Sequence, residues 1–131
     1  MRFLLVFSLV ILFYITACAP APQTLLSGTL RGHVSIGPLT PVEKAGAPTP
    51  TVPPEVYTSR QLVVYKQDGQ TEVTRISIDP QGNYEVLLPP GSYVLDLVHT
   101  GMDTSKDLPK VVDIHTGEMT MLDISIDTGI R

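Results

Sequence analysis

The chain has 131 residues, a formal net charge of −4, one cysteine, no tryptophan and 12 prolines. That length holds one domain. The acidic balance argues against nucleic acid as a partner, which needs lysine and arginine in excess, and a single cysteine excludes an internal disulfide and a multi-cysteine zinc site.

The 43% hydrophobic fraction is unevenly spread. Residues 1–17 (MRFLLVFSLVILFYITA) hold 14 hydrophobic residues and all three phenylalanines of the chain. Arg2 supplies a positive start, and Phe3 to Tyr14 is an apolar run broken only by Ser8. The run is short for a membrane-spanning helix, which needs roughly 20 residues, and fits the core of an export signal. Ile15-Thr16-Ala17-Cys18 follows and resembles the lipobox of bacterial lipoprotein signal peptides. The resemblance implies cleavage after Ala17, a thioether-linked diacylglycerol on Cys18, and an acyl chain (palmitate) on the new N-terminus. Multiple acyl chains anchor a protein stably, at about 0.8 kcal/mol per buried CH₂. A plain secretory signal with an incidental cysteine, or an uncleaved anchor helix, are the competing readings.

Without residues 1–17 the chain has 114 residues, a charge of −5 and four tyrosines, Tyr57, Tyr65, Tyr84 and Tyr93. Its hydrophobic share falls to about 37%, ordinary for a globular domain. Residues 18–27 read as the lipidated cysteine and a short tether, extended by Pro20 and Pro22. From Leu30 the dominant period is two. Leu30, Gly32, Val34 and Ile36 share one face of the first strand. Residues 61–66 form the next strand, and Asp68-Gly69 marks a hairpin turn. In 71–78, Val73 is out of phase with Ile76 and Ile78, which predicts a bulge near Thr74 or Arg75. A turn at 79–82 leads into a strand with Tyr84, Val86 and Leu88 inward. After the turn at 89–91, Tyr93, Leu95 and Leu97 point inward. A polar loop spans 100–109, Val112 and Ile114 mark a short strand, and Leu122, Ile124 and Ile126 face inward along the last one. No segment shows helical spacing. About seven strands at roughly ten-residue spacing predict an all-β, Greek-key β-sandwich of transthyretin-like or immunoglobulin-like type.

Residues 37–56 depart from this pattern, holding six of the 12 prolines. Proline removes ladder donors and fixes φ. The stretch reads as an extended strap across the sandwich, with Val42, Val52 and Val56 inward; a proline-rich ligand segment is the alternative.

The order Gly28-Thr29-Leu30-Arg31-Gly32, Gly37-Pro38, Pro41-Val42-Glu43, Asp79-Pro80-Gln81-Gly82-Asn83-Tyr84, Leu88-Pro89-Pro90-Gly91-Ser92-Tyr93 and Asp127-Thr128-Gly129 resembles the carboxypeptidase regulatory-like domain over 28–131. That domain is a transthyretin-like sandwich and the non-catalytic appendage of its enzyme. Asp79, Gly82, Pro90 and Gly91 then read as structural turn residues, with Asp79 capping its turn and Gly82 at positive φ. Where related straps carry cysteines this chain has Thr40 and Thr49, which implies a strap without a covalent closure.

No catalytic set emerges. Ser59, Ser77 and Ser92 stand in no nucleophile-elbow context. His33, His99 and His115 lack metal-ligand spacing and read as separate surface residues. Asp103 with Asp107, or Asp79 with Asn83, offer at most a weak Ca²⁺ pair, in no EF-hand spacing. There is no phosphate-binding glycine loop. No cofactor is expected. The reading is a lipid-anchored, non-catalytic, extracytoplasmic module of the cell envelope, held on a bacterial membrane through Cys18, in an accessory or protein-interaction role. A small-ligand or glycan-binding module is the alternative, with Tyr57 and Tyr65 as its aromatic candidates.

Overall fold

The computed structural model describes residues 26–41, 46 and 51–131. Ala17, Cys18, the tether up to residue 25 and most of the strap (42–45 and 47–50) lie outside the described residues.

Among the described residues, eight strands form two packed sheets and one short helix joins them: β1 Gly28–Gly37, α1 Pro54–Thr58, β2 Gln61–Lys66, β3 Glu72–Ser77, β4 Asn83–Leu88, β5 Gly91–Leu97, β6 Lys110–Ile114, β7 Met119–Met121 and β8 Ile124–Asp127. In the first sheet β1 is central. Its antiparallel neighbour is β4, in a register that sets Gly28 opposite Leu88 and His33 opposite Asn83. Its other edge carries β7 and then β8, both parallel to it. The second sheet is antiparallel, in the order β3-β2-β5-β6. The chain crosses between the sheets after β1, β3, β4 and β6, which makes the sandwich expected from the alternating pattern.

The inward positions named from the period of two build the core. Leu30, Val34 and Ile36 of β1, Tyr84 and Leu88 of β4, and Ile124 and Ile126 of β8 face Leu62, Val64, Ile76, Leu95, Leu97, Val112 and Ile114. Each such aliphatic side chain contributes about 1.5–3 kcal/mol on removal from water. The bulge falls at Val73: Val64 pairs with Thr74 and Tyr65 with Glu72, leaving Val73 unopposed.

Two expectations need correction. The strap does not run extended to residue 56. Gly37 belongs to β1, and Pro54 opens α1. Proline is well placed in a first helical turn, where its missing N–H has no partner to lose. This single turn carries Tyr57 into the core, with Val52 and Val56 packed against it. The second correction concerns the last strand, which is two strands broken at Leu122-Asp123 and makes the count eight. The Leu122 carbonyl turns toward Gly32, where an added Cβ would lie 1.8 Å from the Leu122 oxygen. The Tyr84 hydroxyl donates to that oxygen at 2.6 Å. Across the break the Leu122 N–H donates to the Arg31 carbonyl at 3.0 Å, and Asp123 Oδ1 accepts the His33 N–H at 2.9 Å in place of a backbone carbonyl. Burial, together with the Asp123 charge, pushes the Tyr84 hydroxyl pKa up; the phenol stays a donor at every physiological pH.

Candidate functional site

The turn residues singled out in the sequence occupy two tight loops. Asp79 Oδ1 accepts the N–H groups of Gln81 at 2.9 Å and Asn83 at 2.8 Å. Gly82 sits at φ 88°, and its carbonyl accepts the Val34 N–H at 2.7 Å, which ties the turn to β1. An added Cβ at Gly82 would lie 2.8 Å from both the Tyr57 and His33 rings. Pro90 and Gly91 connect β4 to β5, and the Tyr93 hydroxyl closes that loop by donating to the Pro89 carbonyl at 2.9 Å. These four residues shape the backbone and bring no reactive group together.

Three aspartates, Asp68, Asp79 and Asp127, are lowered in pKa in the folded chain. The Thr71 hydroxyl, with the N–H groups of Thr71 and Gln70, holds the Asp68 carboxyl down at about 2. Asp127 is held at about 2, first by the Arg131 guanidinium and then by the Gly129 N–H. The Asn83 N–H leads the groups that lower Asp79. A carboxylate lowered by folding adds stability above its unfolded pKa, near 4, and loses it as pH falls through the folded value. Thermal unfolding followed by circular dichroism is therefore expected to give a constant midpoint from pH 7 to about pH 5. The midpoint should then fall between about pH 4 and 2. Asp68→Asn with Asp127→Asn should flatten that fall; an unchanged acid limb in the double variant contradicts the assignment.

The remaining candidates are dispersed. His33 lies on the outer face of β1 with Nδ1 3.2 Å from Asn83 Oδ1, while His99 and His115 are exposed beyond the ends of β5 and β6. Asp103 and Asp107 are engaged apart. Asp103 is buried against Arg60, at 2.6 Å from Nε and 3.1 Å from Nη2; Asp107 Oδ2 accepts the Ser125 N–H at 2.8 Å. Among the described residues no group of three or more His, Cys, Asp or Glu side chains is arranged to hold a metal ion.

Tyr57, one of the two aromatic candidates, is buried by α1 and offers no platform. Tyr65 is half-exposed on the outer face of the second sheet, where the strand register brings further apolar side chains beside it. Register sets Tyr65 beside Val94, and Val94 beside Val111, in one row across β2, β5 and β6. Val111 is 61% exposed. The neighbouring row places Val63 between Arg75 and Asp96, where it is buried beneath the surface. Around this apolar centre stand the Arg75–Glu72 ion pair (2.9 Å), Asp96, and Ser92, whose hydroxyl donates to Asp113 at 2.5 Å. The result is an apolar row with charged and polar side chains around it. The row has no signal in the sequence because Leu62-Val63-Val64 shows no alternation and all three are buried; only the register sets Tyr65 beside Val94 and Val94 beside Val111.

No family model and no curated protein matches the chain. Among solved structures it is similar to GBS52, the minor pilin of Streptococcus agalactiae, with a TM-score of 0.53 and 13% identity over 79% of this chain and 45% of that one. It is also similar to the Bacillus anthracis TIE protein, with a TM-score of 0.49 and 14% identity over 77% and 16%. A DUF3823 family protein from Bacteroides ovatus gives a TM-score of 0.46 and 15% identity over 75% and 44%. The chain thus spans less than half the length of each of these proteins. At 13% identity, the likeness to the minor pilin shows the β-sandwich fold alone.

Proposed function

We propose that this chain is a lipid-anchored, extracytoplasmic, non-catalytic module of the bacterial cell envelope. On this reading it engages a protein partner through the outer face of the β3-β2-β5-β6 sheet. The observation that carries it is the ordered series of Arg2, the Phe3–Tyr14 run and Ala17-Cys18, followed within ten residues by a rigid domain that starts at Gly28. The resemblance to the carboxypeptidase regulatory-like domain, an appendage without chemistry of its own, supports the same reading, and the Tyr65-Val94-Val111 row supplies the contact surface.

Two measurements on the full-length chain in its native membrane test the two halves of the proposal. Cys18→Ser should lose incorporated lipid and leave the membrane fraction; retention of both refutes the anchor. A photo-crosslinking residue at Tyr65 or Val111 should join the chain to one envelope protein, whereas one at Ser35, on the outer face of the other sheet, should not. Val111→Glu should weaken that crosslink about tenfold, the effect of losing about 1.4 kcal/mol at an interface centre. Equal yields from all three positions refute the assigned face. Tyr65-dependent retention on a glycan array would favour the small-ligand alternative.

A further inference from the structure

Strand register gathers a second apolar group, at the end of the molecule where the chain enters. In the first sheet Leu87 of β4, Thr29 of β1 and Met119 of β7 lie side by side, and all three belong to the outward phase of their strands. Leu87 is 67% exposed and Met119 56%; Leu26, two residues before β1, is 64% exposed. The next row up is Glu85, Arg31 and Met121, with Arg31 Nη1 3.9 Å from the Glu85 carboxylate. Leucine and methionine on the outer face of a sheet run against the polar-out rule, which His33, Ser35 and Asn83 obey further along the same face.

We infer that this end of the first sheet is a seat on the lipid bilayer, with Leu26, Leu87 and Met119 entering the interface between headgroups and acyl chains. The inference rests on the Cys18 anchor proposed above. Seven residues, 19–25, separate Cys18 from Leu26. Fully extended, that stretch reaches at most about 29 Å. An anchored Cys18 therefore confines the Leu26 end of the domain to the bilayer surface. The bilayer is the occupant that the tether brings within reach of this row at high local concentration. The second row suits the same occupant, since the Arg31 stem can lie along Met121 while its guanidinium reaches lipid phosphate. The acidic domain gains nothing from an anionic surface, so the contact depends on the apolar side chains. Seating this face turns the opposite outer face, with Tyr65 and Val111, away from the membrane.

Lipidation consumes the chain's one thiol, which makes the inference directly testable. Full-length chains carrying Leu87→Cys, Met119→Cys or, at the far end, Met102→Cys each offer a single reactive site for a fluorophore. All three positions are exposed, so the fold tolerates the change. In phosphatidylcholine vesicles containing a nitroxide-labelled lipid, fluorophores at 87 and 119 should be quenched at least about threefold more than one at 102. A water-soluble quencher should give the reverse order. Equal lipid quenching at all three positions, with the protein still in the vesicles, overturns the seat and leaves the anchor standing. Shielding of 87 and 119 from both quenchers overturns it in favour of a protein occupant. If unsubstituted protein takes up the thiol reagent and stays in the aqueous fraction, the anchor fails, and the seat fails with it.

Discussion

Gly32→Ala is expected to destabilise the domain by about 3 kcal/mol, at the top of the range for forcing atoms into a packed interior. In a domain of about 100 residues that lowers the thermal midpoint by roughly 12–24 °C. Backbone conformation is not the reason, because the Gly32 φ is negative and alanine adopts it freely. The reason is space: the new methyl would lie 1.8 Å from the Leu122 oxygen and 3.1 Å from the Tyr84 ring. Relief requires the C-terminal strand to move off β1. That movement breaks the Tyr84–Leu122 bond and the His33–Asp123 bond together. Gly37→Ala, in the same strand, meets nothing within 4 Å and should be close to neutral. Urea unfolding of both variants decides the matter; a Gly32→Ala cost within about 1 kcal/mol of Gly37→Ala refutes the tight seam.

Asp103→Ala should cost about 2–3 kcal/mol, far more than a surface ion pair. The Asp103 side chain is 6% exposed and that of Arg60 16%. Two hydrogen bonds join them, and a third runs from Arg60 Nη1 to the Val56 carbonyl at 2.7 Å. The guanidinium thus fastens the 100–109 loop to α1. Without its carboxylate it keeps a charge that little water reaches, and that unpaired charge dominates the loss. The partial exposure of Arg60 places the figure below the range for fully buried pairs. Arg60→Met combined with Asp103→Leu should recover most of the stability, because no charge is then stranded. A double-mutant cycle measures the coupling. A cost under about 0.5 kcal/mol for Asp103→Ala would reduce the pair to surface decoration.

Period two was legible wherever one strand face is buried and the other wet. Leu30 to Ile36, Tyr84 to Leu88 and Leu122 to Ile126 each declared their inner face, and the out-of-phase Val73 marked the bulge within one residue. What stayed hidden depends on contacts between distant residues. The break at Leu122-Asp123 follows from the missing side chain of Gly32, 90 positions away, and nothing local to Leu122 records it. Asp103 looked like half of a weak cation pair because its guanidinium partner is 43 positions upstream. The helix at Pro54–Thr58 is too short to display a 3.6-residue period. Pro53 and Pro54 are equally at home in an extended strap, so the sequence alone leaves Tyr57 at the surface instead of in the core. The Tyr65-Val94-Val111 row had no sequence signal, since it is assembled by register from three strands.

The parallel pairing of β1 with β7 and β8 also sets how the domain carries mechanical load. The chain enters β1 at Gly28 and leaves β8 at Asp127, beside Gly37 at the far end of β1. Tension between a held N-terminal side and anything drawing on the C-terminal side pulls these two neighbouring strands past one another lengthwise. The bonds Thr29 to Glu118, Leu122 to Arg31, His33 to Asp123 and Thr128 to Gly37 then take the strain together. They are sheared as a set, not peeled singly, so the edge that joins the two ends of the chain is also the one best arranged to resist their separation.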